Sequence, residues 1–250
     1  MNAFDELLSE TIRTPGLLAV DASPDEERKL FEREHVPPLP MLLDIAPVSS
    51  RAVDMIVAFE VSSEAAYDRL YVHPVWPKGN SGVTIGIGYD IGYVNADGLA
   101  KDWTTGIGAS AVATLAGACG KTGAAASQIL PQMRAVTVPF AVASSVFSQT
   151  DVPRYTARTL AALPSSAASL SPDCLGALVS LVYNRGASFG AAGDRYREMR
   201  AIRDDIQQQN LKDIPAQLRS MKRLWAGDPN MAGLVRRREL EAVLFEQGLA

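Results

Sequence analysis

Two acids and one hydroxyl in the first half of the sequence have the types and order that glycoside hydrolysis requires. Glu60 ends an apolar helical stretch, and Thr84 and Asp90 follow in and just after a glycine-rich segment. That reaction needs a protonated carboxylic acid to donate to the leaving oxygen and a second carboxylate to activate water or attack the sugar. An apolar setting raises the pKa of a carboxyl, which suits Glu60 to the acid role. Asp90 then suits the second role, and Thr84 can hold a water between them.

A helix and a short strand must position these residues. Ser50 is expected to cap a helix with apolar positions that continue to Glu60. Alternation over residues 83–89 predicts a strand whose two glycines share one face, where something can approach the backbone closely. Thr84 and Asp90 are an even number of residues apart, so a regular strand places both side chains on the same side.

Downstream of about Asp97 the pattern is almost entirely helical. Ser171 followed by Pro172 marks a helix start, and the broad apolar face after it predicts a central buried helix. The candidate helices cover residues 3–12, 24–34, 109–117, 121–134, 138–149, 152–163, 171–186, 193–208, 210–223 and 229–247. The predicted fold class is α+β, mostly α, with a small β-hairpin near the start and a helical bundle lobe.

The first 50 residues differ from the rest. They are broken by prolines and carry a charged run at residues 25–29. The prolines are Pro15, Pro24, Pro37, Pro38, Pro40 and Pro47. We expect residues 1–50 to be an N-terminal extension that packs loosely or serves as a loading or docking segment, and residues 51–250 to form one domain.

Bulk properties exclude several classes of function. The chain of 250 residues has a net charge of -4, which does not favour nucleic acid as a partner. It has no apolar run long enough for a membrane span, and its acidic start does not resemble a secretory signal peptide. Cys119 and Cys174 have no metal-site spacing, and His35 and His73 have no partner ligands nearby in sequence. We therefore expect no metal and no other cofactor, while a disulfide between the cysteines stays open.

Two apparent motifs are accidental. Residues Gly186–Gly190 match the nucleophile elbow of α/β-hydrolases, but that fold needs a histidine after the serine and none follows it. Residues Gly120–Thr122 resemble the end of a phosphate loop, but Leu115 stands where its first glycine is required. Neither a serine hydrolase nor a nucleotide-binding protein is therefore predicted.

The run Thr84–Gly88, with the sequence Thr-Ile-Gly-Ile-Gly after a helix that ends in Glu60, resembles the hairpin strand of phage-type lysozymes. In the larger family the second acid lies six residues before the threonine, where this chain has Lys78. The pesticin-like branch places it six residues after the threonine, at Asp90. The order of these residues therefore resembles the pesticin-like muramidases.

Two later segments support the resemblance. Leu178–Gly186 is similar to the central helix behind the cleft of that family, and the segment from Leu224 to Glu241 is similar to its closing helix. The resemblance spans roughly residues 52–249 and implies a lysozyme-like fold.

The same resemblance suggests residues that contact the substrate. Candidates to line the sugar groove are Tyr89, Asn184 and Arg185, although Asn184 and Arg185 also fit an ordinary helix C-terminus. Arg236–Arg238 is expected to be a solvated helix face or a surface that approaches the acidic wall polymer.

The resemblance further implies an N-acetylmuramidase that acts on peptidoglycan glycan strands. The alternative is a catalytically silent lysozyme-like module that binds peptidoglycan or an inhibitor protein. An enzyme of this kind is expected to be an antibacterial effector toxin or a phage-type endolysin, made in the cytoplasm without a signal peptide and acting in the periplasm or cell wall of a target bacterium. A toxin implies a cognate immunity protein and a secretion-machine partner that residues 1–50 engage.

Overall fold

A computed structural model describes residues 2–18 and 47–250 of the chain. These residues divide into two compact units. The first unit comprises residues 2–18, 47–59 and 153–250, and the second comprises residues 60–152. The helix expected over residues 24–34 and His35 lie outside the described residues.

The described residues are mostly helical, with a two-stranded antiparallel sheet. The helices are α1 (Ala3–Arg13), α2 (Ser50–Val61), α3 (Glu64–Leu70), α4 (Ala96–Ile107), α5 (Ala109–Ala116), α6 (Gly123–Ile129), α7 (Phe140–Val146), α8 (Val152–Ala161), α9 (Pro172–Arg185), α10 (Arg197–Gln208), α11 (Ile214–Ser220) and α12 (Ala232–Gly248). The strands are β1 (Thr84–Ile85) and β2 (Tyr89–Asp90). The predicted fold class, α+β and mostly α, is confirmed.

Helix α9 is the centre of the first unit. The hydroxyl of Ser171 caps it by accepting a hydrogen bond from the amide of Cys174, and Pro172 occupies its first turn. Every residue from Cys174 to Arg185 is buried, and α9 packs along α12. A helix that is buried on all sides needs other helices around it, and the predicted central helix is confirmed.

Helix α1 belongs to the core of the first unit. The side chain of Asn2 caps it, and Phe4 and Leu8 are buried in the same apolar cluster as residues of α9 and α12. Helix α1 also packs directly on α12. The first helix of the expected extension is therefore part of the core rather than a loosely attached arm.

The residue that caps α2 lies one position before the residue that the sequence predicts. The hydroxyl of Ser49, rather than that of Ser50, accepts a hydrogen bond from the amide of Ala52 at 3.2 Å. The sequence also fails to predict α3 and α4. Helix α4 contains glycine and threonine, which favour helix weakly, and it is stabilised by the burial of Leu99 and Trp103.

The β-structure of the second unit is the small hairpin that the sequence predicts, but the strand expected over residues 83–89 is wrong in extent, because the chain reverses within it. The chain reverses at Gly86–Gly88, so that β1 and β2 pair as antiparallel neighbours. Gly86 has φ +58° and Gly88 has φ +75°, in the left-handed region that glycine adopts without steric cost. A Cβ on Gly86 would also lie 2.6 Å from the indole of Trp103, so the turn needs glycine there for two reasons.

Candidate functional site

The hairpin places Thr84 and Asp90 directly opposite each other on its two strands. The amide of Ile91 donates to the carbonyl of Val83 at 2.8 Å, which makes Thr84 and Asp90 a non-hydrogen-bonded pair. In such a pair the Cα atoms are about 4.5 Å apart and the side chains point to the same face. The two residues share a face as the sequence predicts, but a tight turn brings them together instead of a regular strand.

The hydroxyl of Thr84 is buried and has no hydrogen-bond partner among the described residues. The backbone amide and carbonyl of Thr84 are both satisfied by Val75, at 2.8 and 3.0 Å. The side chain is not satisfied: Oγ1 is buried and unpartnered, in a residue that is 8% exposed. A buried hydroxyl without a partner costs about 1–3 kcal/mol, so Thr84 at this position favours a functional explanation over a structural one.

The carboxylate of Asp90 is held by backbone amides. Its Oδ2 accepts a hydrogen bond from the amide of Gly82 at 3.1 Å, and its Oδ1 accepts one from the amide of Gly92 at 2.9 Å. A Cβ on Gly82 would lie 2.2 Å from Asp90 Oδ1, so this position admits only glycine. These contacts fix the carboxylate opposite Thr84 and also anchor the hairpin to the loop that precedes it.

Glu60 lies at the C-terminal end of α2 and is half-buried. Burial, followed by the negative charge of Glu60, raises the pKa of the Tyr71 phenol, which places the two side chains within electrostatic reach. Glu60 belongs to the second unit, as do Thr84 and Asp90. The three residues predicted to be catalytic therefore lie in one compact unit, and the structure pairs two of them directly.

Tyr89 does not line a groove. It is 4% exposed, and its ring packs edge-on against Trp103 with ring centres 5.3 Å apart. Its hydroxyl donates to Asp102 Oδ2 at 2.7 Å. These contacts fasten β2 to α4, so the role of Tyr89 is structural.

Asn184 and Arg185 are buried at the end of α9, in the first unit. Arg185 donates from Nη2 to the carbonyl of Arg195 at 2.9 Å, and its guanidinium lies 5.5 Å from the ring centre of Trp225. Gly186 ends the helix with φ +75°. Arg185 therefore serves as packing at a helix C-terminus rather than as a substrate contact. The Oδ1 atom of Asn184 is buried without a hydrogen-bond partner among the described residues.

The expectation of a solvated face at Arg236–Arg238 is wrong for two of the three arginines. Arg237 and Arg238 are 2% and 0% exposed. Arg238 Nη2 and the hydroxyl of Ser180 both donate to Glu241 Oε1 at 2.7 Å, and Arg237 Nε donates to the Ser180 hydroxyl at 3.1 Å. Burial lowers the pKa of Arg238 to about 9 and raises that of Glu241, while the attraction between their charges opposes both shifts. Only Arg236 keeps a partly exposed side chain.

Sequence reasoning missed the residues that support the site. The amide of Gly82, eight residues before Asp90, donates a hydrogen bond to the Asp90 carboxylate. Asp102 accepts a hydrogen bond from the Tyr89 hydroxyl. The glycine at position 82 is a signal that could have indicated a close approach of two backbone segments. No sequence signal identifies Asp102, because only the packing of α4 on the hairpin brings it to Tyr89.

Residues 2–18 and 47–250 contain neither a cluster of metal-ligand side chains nor a helix that could span a membrane. In these ranges no group of three or more His, Cys, Asp and Glu side chains could hold a metal ion. None of the helices described there combines the length and the hydropathy needed to span a bilayer. His73 uses Nδ1 in a 2.9 Å contact with the carbonyl of Val136, which is a structural role.

Comparison with known proteins identifies one family. Residues 57–152 match a domain of unknown function (DUF8812). The match covers the second unit. That unit comprises residues 60–152, so the boundaries of the family and of the compact unit nearly coincide. No curated protein matches the chain. The matched residues include Glu60, Thr84 and Asp90.

Proposed function

We propose that the chain is a peptidoglycan hydrolase, an N-acetylmuramidase that cleaves the β-1,4 bond between N-acetylmuramic acid and N-acetylglucosamine. The observation that carries the proposal is the pair of Thr84 and Asp90. A buried hydroxyl with no partner among the described residues stands opposite a carboxylate that backbone amides hold in place. The resemblance to the pesticin-like lysozymes selects the same residues, and a mostly helical chain with one small hairpin is compatible with a lysozyme-like fold.

In the proposed mechanism Glu60 acts as the general acid. It donates its proton to the glycosidic oxygen as the bond from that oxygen to the anomeric carbon breaks. A water attacks the anomeric carbon and gives a proton to Asp90, while the hydroxyl of Thr84 orients that water. The products are two shorter glycan strands, and proton transfer through solvent restores both acids.

The contacts of Asp90 favour the role of base over that of nucleophile. Each of its carboxylate oxygens already accepts one backbone amide, at 2.9 and 3.1 Å. A nucleophilic carboxylate must bring one oxygen into bonding distance of the anomeric carbon, which would pull it away from these amides. A carboxylate that only deprotonates water can stay where it is. We therefore propose inversion, so that the first product carries the α configuration at its new reducing end.

The alternative is a catalytically silent module that binds peptidoglycan or an inhibitor protein. One observation favours it: the hydrogen bonds from Gly82 and Gly92 give Asp90 a structural role that does not depend on catalysis. A silent module, however, has no use for an unsatisfied buried hydroxyl at Thr84. For that reason the enzymatic function is the one that the geometry supports best.

Loss of turbidity of purified cell walls tests the proposal. Wild type should clear the suspension, and Glu60→Gln should not, because a side-chain amide is far too weak an acid to protonate the glycosidic oxygen. Glu64→Gln is the matched control, since Glu64 is an exposed residue of the same unit at the start of the next helix, α3. Equal clearing by wild type and Glu60→Gln, or no clearing by any of the three proteins, would refute the enzymatic function.

Two biological settings fit the proposed activity. An antibacterial effector toxin delivered to the periplasm of a rival would be accompanied by a cognate immunity protein and would engage a secretion machine. A phage-type endolysin would instead reach the cell wall through a pore. The neighbouring genes distinguish them, because a small secreted inhibitor accompanies a toxin and a pore-forming protein accompanies an endolysin.

A further inference from the structure

A groove on the first unit lies between the start of α12 and the loop before it. It encloses about 640 Å³ and is lined by Leu17, Lys222, Trp225, Asp228, Arg236 and Glu239, together with small residues of the same segments. This volume falls in the range of small-molecule sites, about 300–1,000 Å³. All six side chains belong to the first unit, whereas Glu60, Thr84 and Asp90 belong to the second.

The indole of Trp225 is the aromatic part of the lining, beside the apolar side chains of Leu17, Pro229 and Val235, and it contacts two arginines. The guanidinium groups of Arg185 and Arg238 lie 5.5 and 5.8 Å from its ring centre. Both arginines are buried, and Arg238 is also fixed by its contact with Glu241. These contacts restrict the ring, which lines the groove, so that little side-chain entropy is lost when a ligand packs against it.

The charges around the ring cancel. Lys222 pairs with Glu239, and Arg236 pairs with Glu10 at 3.4 Å. Asp228 uses Oδ1 to accept the amide of Asn230. Two cations and two anions thus border Trp225. Together these side chains supply hydrogen-bond donors and acceptors, and their net charge is zero.

We propose that this groove is a second glycan-binding site, which holds a peptidoglycan strand on residues other than Glu60, Thr84 and Asp90. The inference rests on the proposed function for the identity of the polymer. A sugar ring has an apolar face to stack on Trp225 and hydroxyl and N-acetyl groups to meet the mixed charges around it. A phosphate or nucleotide would need an excess of positive charge, and an apolar peptide would remove water from the four charged side chains without offering them hydrogen bonds. The site keeps the enzyme on an insoluble substrate between cleavage events.

Sedimentation with purified peptidoglycan sacculi tests the inference. All measurements use the Glu60→Gln background, so that the sacculi stay intact. Ala232→Trp fills the groove from an exposed lining position, and Trp225→Leu removes the stacking surface while keeping an apolar side chain. Each should weaken binding by about tenfold or more. Ala161→Trp is the control, because Ala161 is an exposed alanine of the same unit outside the lining of this groove, and it should leave binding unchanged.

A second readout separates this inference from the proposed function. In the otherwise wild-type protein, Ala232→Trp should cleave short soluble glycan fragments at the normal rate but clear whole sacculi more slowly. If Ala232→Trp binds sacculi as tightly as Ala161→Trp, the second site does not exist, even when wild type cleaves both substrates. If wild type cleaves neither substrate but binding still depends on the groove, the proposed hydrolase fails and the glycan site stands. If Trp225→Leu does not fold, Ala232→Trp alone decides the outcome.

Discussion

Thr84 and Asp90 face each other across the two strands of the hairpin, and they differ in how their side chains are satisfied. The Asp90 carboxylate accepts amides from Gly82 and Gly92, while the Thr84 hydroxyl is buried and unpartnered among the described residues. One residue of the pair therefore stabilises the fold and the other weakens it. That difference allows catalytic and structural effects to be separated by mutation.

Replacing Thr84 by valine should separate stability from activity. Valine has nearly the same shape, and it removes a buried hydroxyl that contributes no hydrogen bond within the described residues. Its free energy of unfolding should be equal to that of wild type or higher by up to about 1 kcal/mol. Cell-wall clearing should fall about a hundredfold or more, because the attacking water loses its orienting group. Urea unfolding and turbidity measure the two effects, and Thr84→Ser, which keeps the hydroxyl, should retain activity. A Thr84→Val protein of full activity would remove Thr84 from the mechanism.

Replacing Asp90 by asparagine should lower both stability and activity. Asparagine presents one acceptor oxygen instead of two, so either Gly82 or Gly92 is left with an amide that meets another donor. The expected loss of stability is about 1–3 kcal/mol, together with loss of wall clearing because an amide cannot accept the proton of the water. Asp97→Asn, at an exposed acid in the first turn of α4, should change neither quantity. Thermal unfolding measures the change in stability, and turbidity measures the change in wall clearing. A destabilised but fully active Asp90→Asn protein would assign Asp90 a purely structural role.

Gly86 should tolerate no side chain. Gly86→Ala meets two penalties, a left-handed backbone at φ +58° and a contact of 2.6 Å with Trp103. The backbone penalty alone is about 1–2 kcal/mol. Gly120→Ala is the matched control, because Gly120 has φ +71° with open space around its Cβ position. The difference between the two free energies of unfolding measures the steric contribution of Trp103. Equal losses would show that Trp103 moves aside without cost.

Glu198 should make stability depend on acid pH. Burial works against ionisation of Glu198, but hydrogen bonds from Arg223 and Ser220 outweigh it, and the pKa of this carboxyl lies below its usual value of 4.5. A carboxyl with a lowered pKa in the folded state contributes stability above its unfolded pKa, and that contribution disappears as pH falls through the folded pKa.

The test compares Glu198→Gln with wild type at two pH values. At pH 7 the variant should be less stable by about 1–3 kcal/mol, since it loses charge-assisted hydrogen bonds, and the difference should shrink near pH 3. Urea unfolding measures both values. Glu6→Gln, at an exposed position of α1, should match wild type at both. A difference that stays constant from pH 7 to pH 3 would mean that Glu198 acts by packing and not by charge.

Much of the secondary structure follows from local sequence. A broad run of apolar residues locates α9, and Ser171 with Pro172 marks its start correctly. These signals succeed because capping and apolar composition act over one or two turns. Helices α3 and α4 escape prediction because α3 spans only seven residues and α4 depends on buried contacts of Leu99 and Trp103.

Arg237 and Arg238 show where charge patterns mislead. A run of arginines predicts a solvated face, yet the hydrogen bonds of Ser180 and Glu241 keep both guanidinium groups inside the first unit. Glu241 lies on α12 itself, three residues after Arg238 and four after Arg237, so this partner is visible in the local sequence. Ser180 comes from α9, and no local pattern shows that α9 packs against α12 and buries the whole group.

The sequence by itself determined which residues have the chemistry for hydrolysis and that the glycines around residue 87 belong to a tight backbone segment. The tertiary structure decided how they meet. It put the turn of the hairpin inside residues 83–89, set Thr84 opposite Asp90, and buried Tyr89 and Arg185. The reason is that residue type and local backbone preference are properties of short segments. Pairing and burial depend instead on contacts between segments that are distant along the chain.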